Sequence, residues 1–227
     1  VKTGVFVQAR VNSNRLPGKI LLPLAGIPVI THIMNALYFV PGEYHVVLTN
    51  EQSANQLSPL VESRPGWEMF VGPDEDVLAR FALAAEYYNV DRVLRVTGDN
   101  PAISYSLGRL LVRRTVLDPY ITHQDVAKGL GSELISADAL VTAHRNTMIS
   151  EHREHVSPYI IETIGRKTLF PPIVCYPTIP DANLSLDTQE DYARLSRLFD
   201  ELYQGRPLRL DTVMEWSAKQ WSVRYRY

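Results

Sequence analysis

The chain has 227 residues, 45% of them apolar and 21% charged, with a formal net charge of −2 and a single cysteine, Cys175. That composition excludes a disordered, collagen-like or fibrous chain, and without a basic excess no nucleic-acid partner is expected. One cysteine excludes an intramolecular disulfide and a multi-cysteine zinc site; with no basic-then-apolar leader and no apolar run near the roughly 20 residues that span a bilayer, a cytoplasmic chain without membrane attachment is expected.

Residues 4–9 read as a first strand, its apolar run Val5, Phe6 and Val7 suited to burial on both faces, followed by a polar loop over 10–19. A helix is predicted over 29–38, with Ile30, Ile33, Met34 and Leu37 at helical spacing and Pro41-Gly42 as its end. Strands over 45–49 and 68–71 precede an amphipathic helix carrying Val77, Leu78, Phe81, Ala82 and Ala85. A strand over 92–97 runs into Gly98-Asp99-Asn100-Pro101, and a helix over 105–116 follows. Beyond it come a short strand at 133–135, helices over 137–145 and 155–165, and strands at 173–176 and 183–186. Thr188 then caps a helix containing Tyr192, Leu195, Leu198 and Leu202, and a last helix covers 210–218. With no repeat or linker, residues 1–227 are expected to form one domain. Alternating strands and helices predict an α/β fold, a mostly parallel central sheet sandwiched by helices, with ligands outside the carboxyl ends of the strands.

The loop after the first strand suits phosphate: Arg10, Arg15 and Lys19 supply charge, and Ser13 and Gly18 permit close backbone approach. It is not a Walker A loop, because Ile20 follows Gly18-Lys19. Asp99, at the carboxyl end of the 92–97 strand, is placed to hold a hard cation, and Asp187, after 183–186, is its natural partner. Each aspartate also reads as a turn or helix-cap residue. His152 and His155 lack the spacing of a zinc-protease helix and read as a polar helix start, with 154–159 available to an acceptor. Asp74, Glu75 and Asp76 read as helix-start acids, Tyr87-Tyr88 as core and helix edge, and Cys175 as packing.

Gln8-Ala9-Arg10-Val11-Asn12-Ser13-Asn14-Arg15-Leu16-Pro17-Gly18-Lys19 resembles the A-R-x-G-S-x-R-L-P-G-K signature of the spore coat polysaccharide biosynthesis protein F family, relatives of acylneuraminate and 3-deoxy-manno-octulosonate cytidylyltransferases. The segment 72–80 is similar to that family's G-x-x-x-D-V-L-x-R, 95–101 to R-V-T-G-D-C-P, 129–136 to G-L-D-V-E-V-F-S, 153–159 to R-E-H-V-T-P-Y and 186–191 to V-D-T-P-E-D. The resemblance implies a nucleotide-diphospho-sugar transferase (GT-A-like, Rossmann-like) fold, CTP as donor, a small-molecule acceptor such as a sugar acid, Mg2+ held by Asp99 and Asp187, and a homodimer. Within that reading Arg10, Arg15, Lys19 and Asp99 are the catalytic candidates. Ala9, Ser13, Asp76, Arg80 and Thr97 join them in nucleotide binding, and Glu133, Glu154, His155 and Tyr159 are the acceptor-side candidates. The sequence departs from the family at Asn12 (glycine), Asn100 (cysteine), Gly131 (aspartate), Asn183 (a basic residue) and Gln189 (proline). If Gly131 and Asn183 lie on the acceptor side, the acceptor differs from N-acetylneuraminate and 3-deoxy-manno-octulosonate. The rival readings are a nucleotidyltransferase of another NTP or of a phosphate or phosphonate acceptor, a non-catalytic nucleotide-binding homologue, and a glycosyltransferase, whose usual Asp-x-Asp pattern is missing after Asp99.

Overall fold

The computed structural model describes residues 1–115, 118–169 and 182–221. The strand expected at 173–176, with Cys175, lies outside them. In chain order the elements are β1 (Thr3–Gln8), β2 (Pro23–Leu24), β3 (Ile27–Pro28), α1 (Val29–Leu37), β4 (Tyr44–Thr49), α2 (Glu51–Glu62), β5 (Trp67–Val71), α3 (Val77–Tyr87) and β6 (Arg92–Thr97). They continue with α4 (Tyr105–Val112), β7 (Tyr120–His123), β8 (Glu133–Ser136), α5 (Ala137–Asn146), α6 (Ser150–His155), α7 (Pro158–Thr163), β9 (Lys167–Leu169), α8 (Gln189–Leu202) and α9 (Leu210–Gln220).

Among the described residues seven strands form one sheet in the order β5-β4-β1-β6-β8-β7-β9, while β2 and β3 pair as a small hairpin. Only β8 runs antiparallel to its neighbours. β1 lies between β4 and β6, so successive connections leave it in opposite directions and open a crevice at the carboxyl ends of β1 and β6. The two-residue period of the strands sorts the core. Val5, Val7, Val47, Leu94 and Val96 face one side, with apolar residues of α1, α2, α4, α8 and α9. Phe6, Val46, Leu48 and Val93 face the other, under α3, α5 and α7. Full burial of Phe6 and Phe81 stabilises the second layer by roughly 1.5–3 kcal/mol each.

Three differences from the sequence reading matter for the site. Periodicity left 50–66 without an element, yet α2 is there, capped by Asn50 Oδ1 accepting from Ser53 N at 3.0 Å. The helix expected over 155–165 is the shorter α7, and an unpredicted α6 precedes it; the two are separated because Val156 takes φ 71° and Pro158 starts α7 at a position where its missing N–H costs nothing. Residues 183–186 are extended but form no strand; Asn183 makes only an isolated bridge with Lys128.

Two buried histidines, His32 and His123, and the half-buried His45 give the fold an acid limit. Nε2 of His32 donates to Leu24 O at 2.8 Å, that of His123 to Leu107 O at 3.1 Å, and that of His45 to Val40 O at 3.0 Å. Burial lowers all three pKa values from 6.5, against the opposing pull of these carbonyls. The unfolded chain therefore binds more protons below that value, so stability present above pH 6.5 is lost as pH falls toward the lowered folded values, at most about 1.4 kcal/mol per pH unit per histidine. The melting temperature is expected to drop between pH 7.5 and 5.5; a flat profile would contradict these neutral rings.

Candidate active site

The crevice between β1 and β6 opens into a cleft of about 390 Å³. One wall is the loop after β1, which brings Ala9, Arg10, Ser13, Arg15 and Lys19 to the cleft. Helix α2 holds that loop: Ser53 Oγ accepts from Val11 N at 2.9 Å, and Asn12 Nδ2 donates to Gln52 Oε1 at 2.6 Å. Asn12 thus has a partner of its own where the related family has glycine.

Asp99 leaves β6 through a turn that only a glycine permits. Gly98 N donates to Gln8 O at 2.8 Å, and a Cβ on Gly98 would lie 2.8 Å from the same oxygen. Thr97 Oγ1 donates to Asp99 Oδ1 at 2.6 Å and fixes its rotamer. Asp187 arrives from the other end of the chain on the extended segment, docked by Leu184 N to Lys128 O (2.8 Å), Ser185 Oγ to Asn100 Oδ1 (2.8 Å) and Leu186 N to Asp99 O (2.7 Å). Asn100 is therefore the latch for the segment that carries Asp187. Gly129 makes the opposite close approach: its φ is +95°, and a Cβ there would fall 2.5 Å from the carbonyl carbon of Leu184. Gly129→Ala is expected to cost about 2 kcal/mol or more through left-handed strain and the shifted segment, a fall of roughly 4–8 °C in melting temperature. A change under 1 °C would show that the segment yields freely.

The two carboxylates converge on one cation. Lys19 Nζ donates to Asp187 Oδ1 at 2.8 Å, to Leu186 O at 2.7 Å and to Asp99 Oδ2 at 3.3 Å. Arg15 Nη2 lies 3.0 Å from Asp187 and Lys128 Nζ 3.7 Å. Burial pushes the Asp187 carboxyl up, but Lys19, Arg15 and Lys128 together outweigh it and hold the pKa below the usual aspartate value. Two carboxylates that contact one ammonium could also hold a hard metal ion, which needs few protein oxygens when phosphates and water complete its shell.

The opposite wall comes from α3, α6 and the face of the sheet. Arg80, only 1% exposed, donates to the carbonyls of Pro73 and Asp74 and orders the loop before α3. The turn at Val156 ends α6 where Glu154 and His155 border the cleft. Of the remaining sequence candidates, Asp76 caps α3 by accepting from Ala79 N at 2.9 Å and is paired with Arg153, so its carboxylate is committed away from the cleft. Glu133 is engaged on both oxygens by Arg95, Tyr120 Oη (2.8 Å) and Ser157 Oγ (3.2 Å), and Tyr159 packs with the α3–α5 layer; neither borders the cleft. Gly131 and Asn183 do not border it either. Asn183 instead serves its own segment, Oδ1 accepting from Ser185 N and the carbonyl from Arg194. The expectation that these two departures alter an acceptor wall is corrected accordingly.

A larger open cleft of about 1080 Å³ lies between the end of α1 and the α8–α9 loop. Among the described residues that line it, Glu201 is the one carboxylate, and it accepts from Trp216 Nε1 at 2.8 Å, so they include no paired acids. Gln8, Arg95 and Ser53 help build the site but have no role in the sequence reading: Gln8 and Arg95 stand only within the motif segments at 8–19 and 95–101, in strands, and Ser53 falls in the unpredicted helix.

The chain is 32% identical over 205 residues to an uncharacterised protein of Methanocaldococcus jannaschii, covering 86% of this chain and 83% of the relative. It is 25% identical over 212 residues to the spore coat polysaccharide biosynthesis protein SpsF of Bacillus subtilis, covering 86% and 85%. Among solved structures, a cytidylyltransferase from Leptospira borgpetersenii superposes with a TM-score of 0.85 at 25% identity, over 100% of this chain and 99% of that one. The cytidylyltransferase family model matches residues 5–210, which span β1, the loop cations, both aspartates and the sheet between them, so the chain belongs to the cytidylyltransferase family and is a CTP-dependent nucleotidyltransferase.

Proposed function

We propose that the protein transfers CMP from CTP to an oxygen of a sugar acid, releasing pyrophosphate, in surface polysaccharide or specialised metabolite biosynthesis. The observation that carries this reading is the meeting of Asp99 and Asp187 with the β1-loop cations in the crevice of a cytidylyltransferase fold. Arg10, Arg15 and Ser13 bind the triphosphate, and Ala9 lets its backbone approach the nucleotide. Lys19 places an ammonium on the phosphate oxygens, and Thr97 holds Asp99 in position. Asp99 and Asp187 would hold Mg2+, which supplies Lewis-acid stabilisation of phosphate charge when bound. The acceptor hydroxyl gives its proton up to solvent and its oxygen bonds to the α-phosphorus as the bond to the bridging oxygen of the β-phosphate breaks, while the fixed cations stabilise the charge gathered on the departing pyrophosphate. Glu154 and His155 stand where an acceptor enters.

Pyrophosphate release measured with each of the four NTPs, against a panel of sugar acids that includes N-acetylneuraminate and 3-deoxy-manno-octulosonate, tests the proposal. Acceptor-dependent release with CTP is expected. Release confined to UTP or a purine nucleotide would overturn the donor, and CTP turnover confined to phosphates or phosphonates would overturn the sugar-acid acceptor.

A further inference from the structure

Gln8, the last residue of β1, borders the cleft and is held by a chain of hydrogen bonds whose directions are all fixed. Arg95 Nη2 and Nε lie 2.9 and 3.2 Å from one carboxamide atom of Gln8. A guanidinium only donates, so that atom is the oxygen. Arg95 is itself immobilised: Nη1 is paired with Glu133, and the guanidinium lies 5.6 Å over the ring of Phe81. Glu133 is anchored in turn by the Tyr120 and Ser157 hydroxyls. The amide nitrogen of Gln8 therefore has one orientation, and its two N–H groups have no partner among the described residues. A neutral, donor-only group is presented to whatever fills the cleft.

Its ligand atom must be an acceptor. The phosphate end of the cleft already has Arg15 and Lys19 beside the two aspartates, and an anionic oxygen is better met by such cations than by an amide. A neutral donor matches a neutral carbonyl. Ala9 and Val77, both apolar, border the same cleft. We infer that Gln8 reads the nucleobase, its Nε2 donating to the ring carbonyl of the pyrimidine, with Arg95 and Glu133 as positioning residues that keep the amide from flipping. The inference rests on the CTP reading and names the side chain that recognises the base.

Gln8→Glu is the discriminating change. One carboxylate oxygen still accepts from Arg95, so the packing is kept, while the other faces the base as acceptor against acceptor. Calorimetric titration of wild type and variant with CTP, and with ribose 5-triphosphate, which has no base, separates base recognition from phosphate electrostatics. CTP affinity is expected to fall about tenfold or more, from a lost hydrogen bond and opposed lone pairs, while ribose 5-triphosphate affinity stays within threefold of wild type. Gln8→Met, which removes the donor without adding charge, is expected to give a smaller loss specific to CTP. Arg95→Met is expected to weaken CTP in the wild-type background and to have less effect when combined with Gln8→Met, a coupling that a merely structural role would not produce. Unchanged CTP affinity in Gln8→Glu, or an equal loss for both ligands, overturns the inference. A wild-type protein that binds UTP in place of CTP fails the donor reading alone; the same variants are then compared on UTP, which has the same ring carbonyl. A purine preference overturns both.

Discussion

Asp99→Ala is expected to lower CTP-dependent turnover at saturating magnesium by about 10²–10³-fold or more, the scale seen when one preorganised electrostatic group is removed from a transition state. The fold is expected to survive. The Asp99 carboxylate is partly exposed and touches Thr97 and Lys19 rather than the core, so its loss leaves no cavity, and the melting temperature should move by only a few degrees. Asp187→Ala gives the contrasting case. Asp187 is surrounded by Lys19, Arg15 and Lys128, so its removal is expected to leave those cations mutually repelling as well as to impair turnover. Melting temperature and turnover measured on both variants separate the two roles. Near-wild-type turnover in Asp99→Ala would remove the basis for a metal-assisted reaction at this crevice.

Lys19→Met carries the second large effect. Its ammonium is largely buried and makes contacts to Asp99, Asp187 and the Leu186 carbonyl, which ties the β1 loop to the segment that ends the site. Loss of a charge-assisted contact to phosphate corresponds to roughly ten- to more than hundred-fold in the specificity constant for CTP. Stability is expected to fall as well, by about 1–3 kcal/mol, less than a fully buried broken pair because Arg15 and Lys128 still face Asp187. Acid sensitivity should change with it. A folded pKa held below the unfolded value stabilises the protein above about pH 4 and loses that contribution as pH falls through the folded value. Without Lys19 the burial of Asp187 is less well opposed, its pKa rises, and the contribution shrinks at neutral pH. An unchanged specificity constant for CTP in Lys19→Met would show that the ammonium serves only the free protein.

The sequence by itself determined the part of this protein in which chemistry and periodicity are local. β1, β4 and β6 have apolar runs that a doubly covered sheet requires, α1, α3 and α8 repeat apolar residues at helical spacing, and turns at Pro41-Gly42 and Gly98 separate them. The loop cations and Asp99 follow directly from strand ends. Helix α2 escaped because it is polar, contains Pro59 and buries only Ser53, Ala54, Leu57 and Val61, too few apolar positions to show a period. The break between α6 and α7 hangs on a positive φ at Val156, a conformation no β-branched residue announces. The tertiary structure alone decided which charges meet. Lys19 lies 80 residues from Asp99 and 168 from Asp187, and Gln8 lies 87 from Arg95. Such pairs depend on strand order and on an extended segment docking across the β6 turn, and no pattern within a window of sequence encodes them. Glu133 and Asp76 show the same limit from the other side. Their residue type fits a binding site, but partners brought in by the fold already engage both oxygens of each carboxylate, and neither side chain borders the cleft.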